Sequence, residues 1–202
     1  RRIRPIHIWQ SAAAILFLLL ASSVYLSTVG TKAETDLLQQ YIPIAEMRSL
    51  TLPDGTKVQL NSKSTLLYPQ EFTGDSRSVF LLGEANFKVK PDKKRPFIVK
   101  SNDLQITALG TEFNVSAYPE SQEIATTLIS GSIRVDYNNL TTSVILHPNE
   151  QFAYNRNNKK YDLSNPDMDD VTAWQRGELV LQKMTLTDII NVLERKYPYA
   201  FV

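Results

Sequence analysis

Two regimes of hydrophobic patterning divide the chain. From Ile8 to Val29 no charged side chain interrupts a run whose centre reads Ser11-Ala-Ala-Ala-Ile-Leu-Phe-Leu-Leu-Leu-Ala21. At about 1.5 Å per residue a helix of this length covers the roughly 30 Å hydrocarbon layer of a bilayer. Trp9 and Tyr25 stand near its ends, where amphipathic rings favour the interface. Arg1, Arg2 and Arg4 precede the run, and Lys32, Glu34 and Asp36 come after it, which turns the amino end toward the cytoplasm and exports the rest. A signal peptide has a shorter apolar core, about 7–15 residues, and a buried core helix would show polar periodicity. The reading is a cytoplasmic flank (1–7), one transmembrane helix (8–29) and a polar linker (30–45) in which Pro43 ends any helix. The chain opens on Arg1 rather than Met, the pattern of a fragment without its cytoplasmic part.

From Glu46 onward the pattern changes to short apolar runs punctuated by turn residues. The expected strands are Met47–Leu52, Lys57–Leu60, Thr65–Tyr68, Ser78–Leu82, Ala85–Val89, Phe97–Lys100, Leu104–Ala108, Glu112–Ala117, Glu123–Ile129, Ser132–Tyr137, Ser143–Leu146 and Glu150–Tyr154. In Ser132–Tyr137 the apolar positions 133, 135 and 137 share one face, the period of a half-buried strand. Pro53-Asp54-Gly55 is a tight-turn signature, and Gly83, Gly110 and Gly131 each separate two apolar runs. So many short strands imply an all-β domain over 46–164, as a jelly roll or β-sandwich or as a β-helix.

The tail changes again. Asn165–Gly177 reads as a polar connector around Trp174, an anchor between the β domain and the carboxy-terminal segment, and Glu178–Gln182 reads as a strand. Leu186, Ile189, Ile190, Leu193 and Tyr197 then fall on one face of a helix, with Thr185 or Thr187 to cap it and Asp188 in its first turn. Pro198 stops that helix, and Ala200–Val202 resembles a strand just begun. Residues 178–202 are thus expected to open a small α+β domain.

Composition narrows the chemistry. The 202 residues carry 22 basic and 21 acidic side chains, a balance that argues against a nucleic-acid partner. With no cysteine and only His7 and His147, thiolate zinc sites, cysteine nucleophiles and Ser-His-Asp triads lack raw material. There is no phosphate-cradling glycine loop, so no cofactor, metal or conventional catalytic centre is expected. A membrane-anchored hydrolase or carbohydrate-binding module is the alternative; Tyr41, Tyr118, Tyr137, Tyr154 and Tyr161 are its candidate platforms.

The ordered motifs have a family likeness. Leu52-Pro-Asp-Gly-Thr-Lys-Val-Gln-Leu-Asn-Ser62, Tyr68-Pro69, Gly83-Glu-Ala-Asn-Phe87, Pro96-Phe97, Leu109-Gly-Thr-Glu-Phe-Asn-Val115 and Thr172-Ala-Trp-Gln-Arg-Gly177 resemble the FecR-type transmembrane anti-sigma factors in their Bacteroidetes version. The matching positions are Pro53, Asp54, Gly55, Asn61, Ser62, Gly83, Glu84, Ala85, Phe87, Gly110, Thr111, Phe113, Asn114, Val115, Trp174 and Gly177. The tail resembles the start of the STN-like domain that comes next in those proteins. The resemblance implies a single-pass inner-membrane protein with its carboxy end in the periplasm. It implies that a cytoplasmic domain outside this fragment holds an extracytoplasmic-function (ECF) sigma factor. It further implies that the β domain senses the N-terminal signalling domain of a TonB-dependent outer-membrane transporter, and that periplasmic and intramembrane proteases release the sigma factor. Some members cut their own Gly-Thr bond in the motif matching Gly110-Thr111. One departure stands out: the family turn Leu-x-Pro-Gly reads Leu146-His-Pro-Asn149, and Asn tolerates the left-handed region better than most residues.

Overall fold

The computed structural model of the protein describes residues 14–25, 36–182 and 184–199. The chain divides into two units, 1–35 and 36–202. In the first, residues 14–25 form helix α1, along which Ile15, Leu16, Phe17, Leu18, Leu19 and Leu20 are exposed. Among the described residues no helix is long and apolar enough to cross a membrane. The expected span, Ile8–Val29, runs beyond the described part of α1 at both ends.

Among its described residues the second unit has thirteen strands. They are β1 (Leu37–Tyr41), β2 (Arg48–Thr51), β3 (Lys57–Leu60), β4 (Thr65–Pro69), β5 (Arg77–Lys88), β6 (Phe97–Ser101), β7 (Leu104–Ala108), β8 (Glu112–Ala117), β9 (Glu123–Ser130), β10 (Ile133–Tyr137), β11 (Thr142–Leu146), β12 (Gln151–Asn155) and β13 (Tyr161–Ser164). One curled sheet holds them all, and β5 belongs to both of its halves. The first half runs β1-β4-β5-β6-β7-β10-β11 and the second β2-β3-β5-β8-β9-β12-β13. Every pairing is antiparallel except β5 with β6. A β-helix stacks parallel neighbours, so the ladders select a face-to-face arrangement over that alternative.

Alternation along the strands builds the core between the halves. Val58, Leu66, Val79, Phe87, Phe97, Ile106, Phe113, Val135 and Phe152 are all buried in one apolar cluster. Rings meet across it: Phe87 of the second half lies 6.0 Å from Phe97 of the first, and Tyr137 lies 5.3 Å from Phe152.

Two expected boundaries are corrected. Ser78–Leu82 and Ala85–Val89 are not separate strands, because Gly83 sits inside β5 as the corner where it changes partners. Leu81 and Leu82 pair with β4 before the corner, and Ala85 onward pairs with β3 after it. Gly83 has φ +99°, and a Cβ there would stand 2.4 Å from Ser64 Oγ. Only glycine permits both the backbone and the contact. Glu178–Gln182 forms no strand; it is an irregular segment. Two strands escaped the sequence reading, β1 inside the supposed linker and β13. The departing Leu146-His-Pro-Asn149 turn survives as anticipated: Asn149 takes φ +68° and Glu150 N–H donates to the His147 carbonyl at 3.1 Å.

After β13 come helix α2 (Met168–Thr172), a 3-10 turn (Ala173–Arg176) ended by Gly177 at φ +79°, and helix α3 (Leu186–Lys196). Thr185, not Thr187, caps α3, its hydroxyl oxygen accepting from Asp188 N–H. The helix stops at Lys196 before Pro198. Ala200–Val202 lies outside the described residues.

Candidate functional site

On β5 the odd positions face the core, so the even ones face outward. On the first half they are the exposed Phe80 and Leu82; on the second they are Glu84 and Asn86. The tail lies over that second outer face, and the space between them is a cleft of about 220 Å³.

Five of the family positions converge there. The Glu84 carboxylate accepts from Asn61 Nδ2 at 2.8 Å and from Asn114 Nδ2 at 3.0 Å. Asn114 Oδ1 in turn accepts from Trp174 Nε1 at 3.2 Å, tying the 3-10 turn to the sheet. Asn61 Oδ1 accepts from Ser62 N–H, and Ser62 Oγ donates to the Glu46 carbonyl. Burial pushes the Glu84 carboxyl above its ordinary range, against the lowering pull of the two asparagines and of Arg195. A carboxylate held by two neutral amides under a cover is a structural clasp, linked to the tail through Asn114 and Trp174.

Around this clasp lie Arg195, which the sequence reading passed over, and Tyr118, which it considered only as a binding platform. The Arg195 guanidinium of α3 lies 3.8 Å over the Tyr118 ring and donates to Glu120 Oε1 at 2.9 Å. Tyr118 OH donates to the Ser62 carbonyl at 2.9 Å, and burial, reinforced by the Glu84 charge, raises its pKa above the ordinary phenol value. Ala45 N–H donates to the Arg195 carbonyl at 3.0 Å, and Lys196 Nζ donates to the Gly177 carbonyl. Nothing local marks Arg195 in sequence, since its partners lie in loops far along the chain.

Most of the remaining motif positions sit in the core or in turns. Ala85, Phe87, Phe113 and Val115 are core side chains. Pro53-Asp54-Gly55 makes the β2–β3 turn, with Gly55 at φ +89° and Gly55 N–H donating to Leu52 carbonyl at 2.8 Å. Asp54 does more than turn the chain. Its carboxylate accepts from the fully buried Arg77 at 2.7 Å and from Thr56 Oγ1 at 2.7 Å. Arg77 was missed, although it shares the inward parity of Val79 and Leu81 and parity alone would have flagged a buried cation.

Gly110 and Thr111 stand apart from the clasp, in the turn before β8. Gly110 has φ +149°, and a Cβ there would meet Pro91 Cα at 2.8 Å. Thr111 is buried, and its hydroxyl has no hydrogen-bond partner among the described residues. Of the candidate tyrosine platforms, Tyr118, Tyr137 and Tyr154 are buried; Tyr41 and Tyr161 are exposed on different strands. No cluster of three or more metal-ligating side chains occurs among the described residues.

Comparison with known proteins agrees with this geometry. Residues 42–134 match the family described as FecR protein. A crystal structure at 2.50 Å of a candidate anti-sigma factor from Parabacteroides distasonis ATCC 8503 is 37% identical, with a TM-score of 0.77 over 81% of this chain and 76% of that one. A second structure under the same description, at 1.65 Å, is also 37% identical, with a TM-score of 0.76 over 80% and 75%. No curated protein sequence matches the chain. Identity at that level over about four fifths of the chain means that it belongs to the FecR family of anti-sigma factors.

Proposed function

We propose that this anti-sigma factor relays a signal across the inner membrane. On this reading the second unit lies in the periplasm and meets the N-terminal signalling domain of a TonB-dependent outer-membrane transporter. The helix that includes α1 spans the bilayer once, and a cytoplasmic domain outside this sequence holds an ECF sigma factor. Periplasmic and intramembrane proteases then free that sigma factor. The observation that carries the reading is family membership over the larger part of the chain. The exposed leucines of α1 support it, since lipid is the natural cover for such a surface. Cutting suits a single helix, which transmits conformational change poorly through a bilayer. The test is co-purification from membranes of the full-length protein with its sigma factor and with the transporter signalling domain, together with protease shaving of spheroplasts. A second unit that resists shaving, or a protein that retains neither partner, would sink the relay.

A second reading concerns the backbone itself. Gly110 holds a conformation reserved for glycine, and the Thr111 hydroxyl beside it is buried without a partner among the described residues. We propose self-cleavage at this bond. The Thr111 hydroxyl adds to the Gly110 carbonyl carbon, and the peptide C–N bond breaks as the proton passes to the leaving nitrogen. Water then opens the ester, leaving a Gly110 carboxylate and a Thr111 amine. Intact-mass spectrometry of the purified protein is expected to show two fragments, and Thr111→Ala one uncut chain. A single uncut species in both overturns the proposal.

A further inference from the structure

The outer face of the second half carries a row of polar side chains in direct cross-strand register. Ser49 pairs with Gln59, Gln59 with Asn86, and Asn86 with Asn114. Asn114 is committed to Glu84 and Trp174, and among the described residues Gln59 Nε2 reaches only the Gln175 carbonyl, at 3.5 Å. Asn86, 6% exposed, is left with an Nδ2 amine that has no acceptor among the described residues. Gln175 Nε2, in the 3-10 turn above it, is likewise buried without an acceptor among them. Both residues line a cleft of about 390 Å³ beside edge strand β2, separate in its lining from the Glu84 cleft.

Beside Leu50, Val58 and Gln59, the rest of that lining has one chemical bias. Ser49, Thr51, Lys57 and Lys88 offer donors, and Glu112 is the single acid, paired with Lys88 at 3.2 Å. Lys57 has no acidic partner among the described residues. Buried amide donors are costly while unmet, so the cleft favours a molecule bringing acceptors. A carboxylate can accept from two N–H donors and attract a cation at once, and hydroxyls match Ser49, Thr51 and Gln59.

We infer that this cleft binds a hydroxylated carboxylate of single-sugar size, its carboxylate attracted by Lys57 and held by the Asn86 and Gln175 amides, whose covered nitrogens must turn toward the cleft to meet it. The site is independent of the sigma-factor relay, and neither stands or falls with the other.

The experiment titrates the full chain, in detergent micelles, with sodium glucuronate and separately with glucose, following the side-chain amide resonances of Asn86 and Gln175 by ¹⁵N NMR. Saturable shifts of both amides with glucuronate, and none with glucose, are expected. Asn86→Asp keeps the volume, removes the donor and adds a like charge; it is expected to weaken binding at least about tenfold, and Lys57→Ala about threefold. Lys57 is exposed, so that variant folds even if Asn86→Asp does not. No shift with glucuronate, equal shifts with glucose, or Lys57→Ala binding as well as the unaltered chain overturns the inference.

Discussion

Replacing Asp54 by Ala tests the least expected feature of the interior. Arg77 and Asp54 are 1% and 4% exposed and meet at 2.7 Å. The guanidinium also donates to the Lys90 and Arg95 carbonyls, at 2.8 and 2.9 Å, and lies 5.5 Å from the Phe97 ring centre. Removing one partner of a buried pair costs about 3–5 kcal/mol, because the other charge is stranded away from water. The two carbonyls and the ring still soften that penalty, so about 3 kcal/mol is expected, or on the order of 10 °C in Tm for a chain of this size. Asp54→Asn keeps one acceptor oxygen but loses the charge and replaces the other oxygen with a donor, so it should fall between Asp54→Ala and the unaltered chain. The double change Asp54→Ala with Arg77→Met removes the stranded charge and is expected to recover most of the loss. Urea unfolding followed by far-ultraviolet circular dichroism measures all four proteins. An Asp54→Ala loss below about 1 kcal/mol, or a double variant weaker than the single one, would refute the assignment of this pair as an essential counterion.

Other consequences are equally direct. Gly83→Ala forces a Cβ onto Ser64 at a φ of +99° and should destabilise by about 2–4 kcal/mol in the same assay, while Gly74→Ala, with open space around it, should be close to neutral. Folding raises the Glu84 pKa above its ordinary 4.5, so the folded state keeps that proton to higher pH than the unfolded chain. Its contribution is complete below the unfolded value and is lost as pH rises through the folded one. Glu84→Gln should therefore gain stability relative to the unaltered protein as pH is raised from 4.5; parallel pH profiles would count against the clasp. Arg195→Ala removes the stack on Tyr118 and the Glu120 pair, at about 1–2 kcal/mol of tail docking. Amide exchange across Leu186–Lys196 should then quicken while β5 and β8 stay protected, and uniform quickening would show that the tail is not a separate cover.

Legibility in the sequence tracked the range of the interaction. Strands such as Lys57–Leu60 and Leu104–Ala108 were read to the residue, because alternation and turn chemistry are local. The family positions were also visible, but their roles were not separable: Asn61, Glu84 and Asn114 lie in different strands or turns, and only cross-strand register brings their side chains together. Arg195 left no local signal at all, and Tyr118 was read only as a candidate exposed platform. Their contact depends on where α3 comes to rest.

The order of residues by itself determined an apolar amino-terminal run, an all-β body and a capped amphipathic helix, each a local pattern. The family likeness rested on the ordered set of motifs from Leu52 to Gly177. Tertiary structure alone decided that Gly83 is a corner rather than a break, since its meaning depends on which strands lie on either side of β5. It also decided that one outer face is covered and polar while the other is open, which makes Glu84 a buried clasp and leaves Phe80 in solvent. Parity along a strand tells which positions point away from the core; the cover that then lies over them is settled by segments distant in sequence.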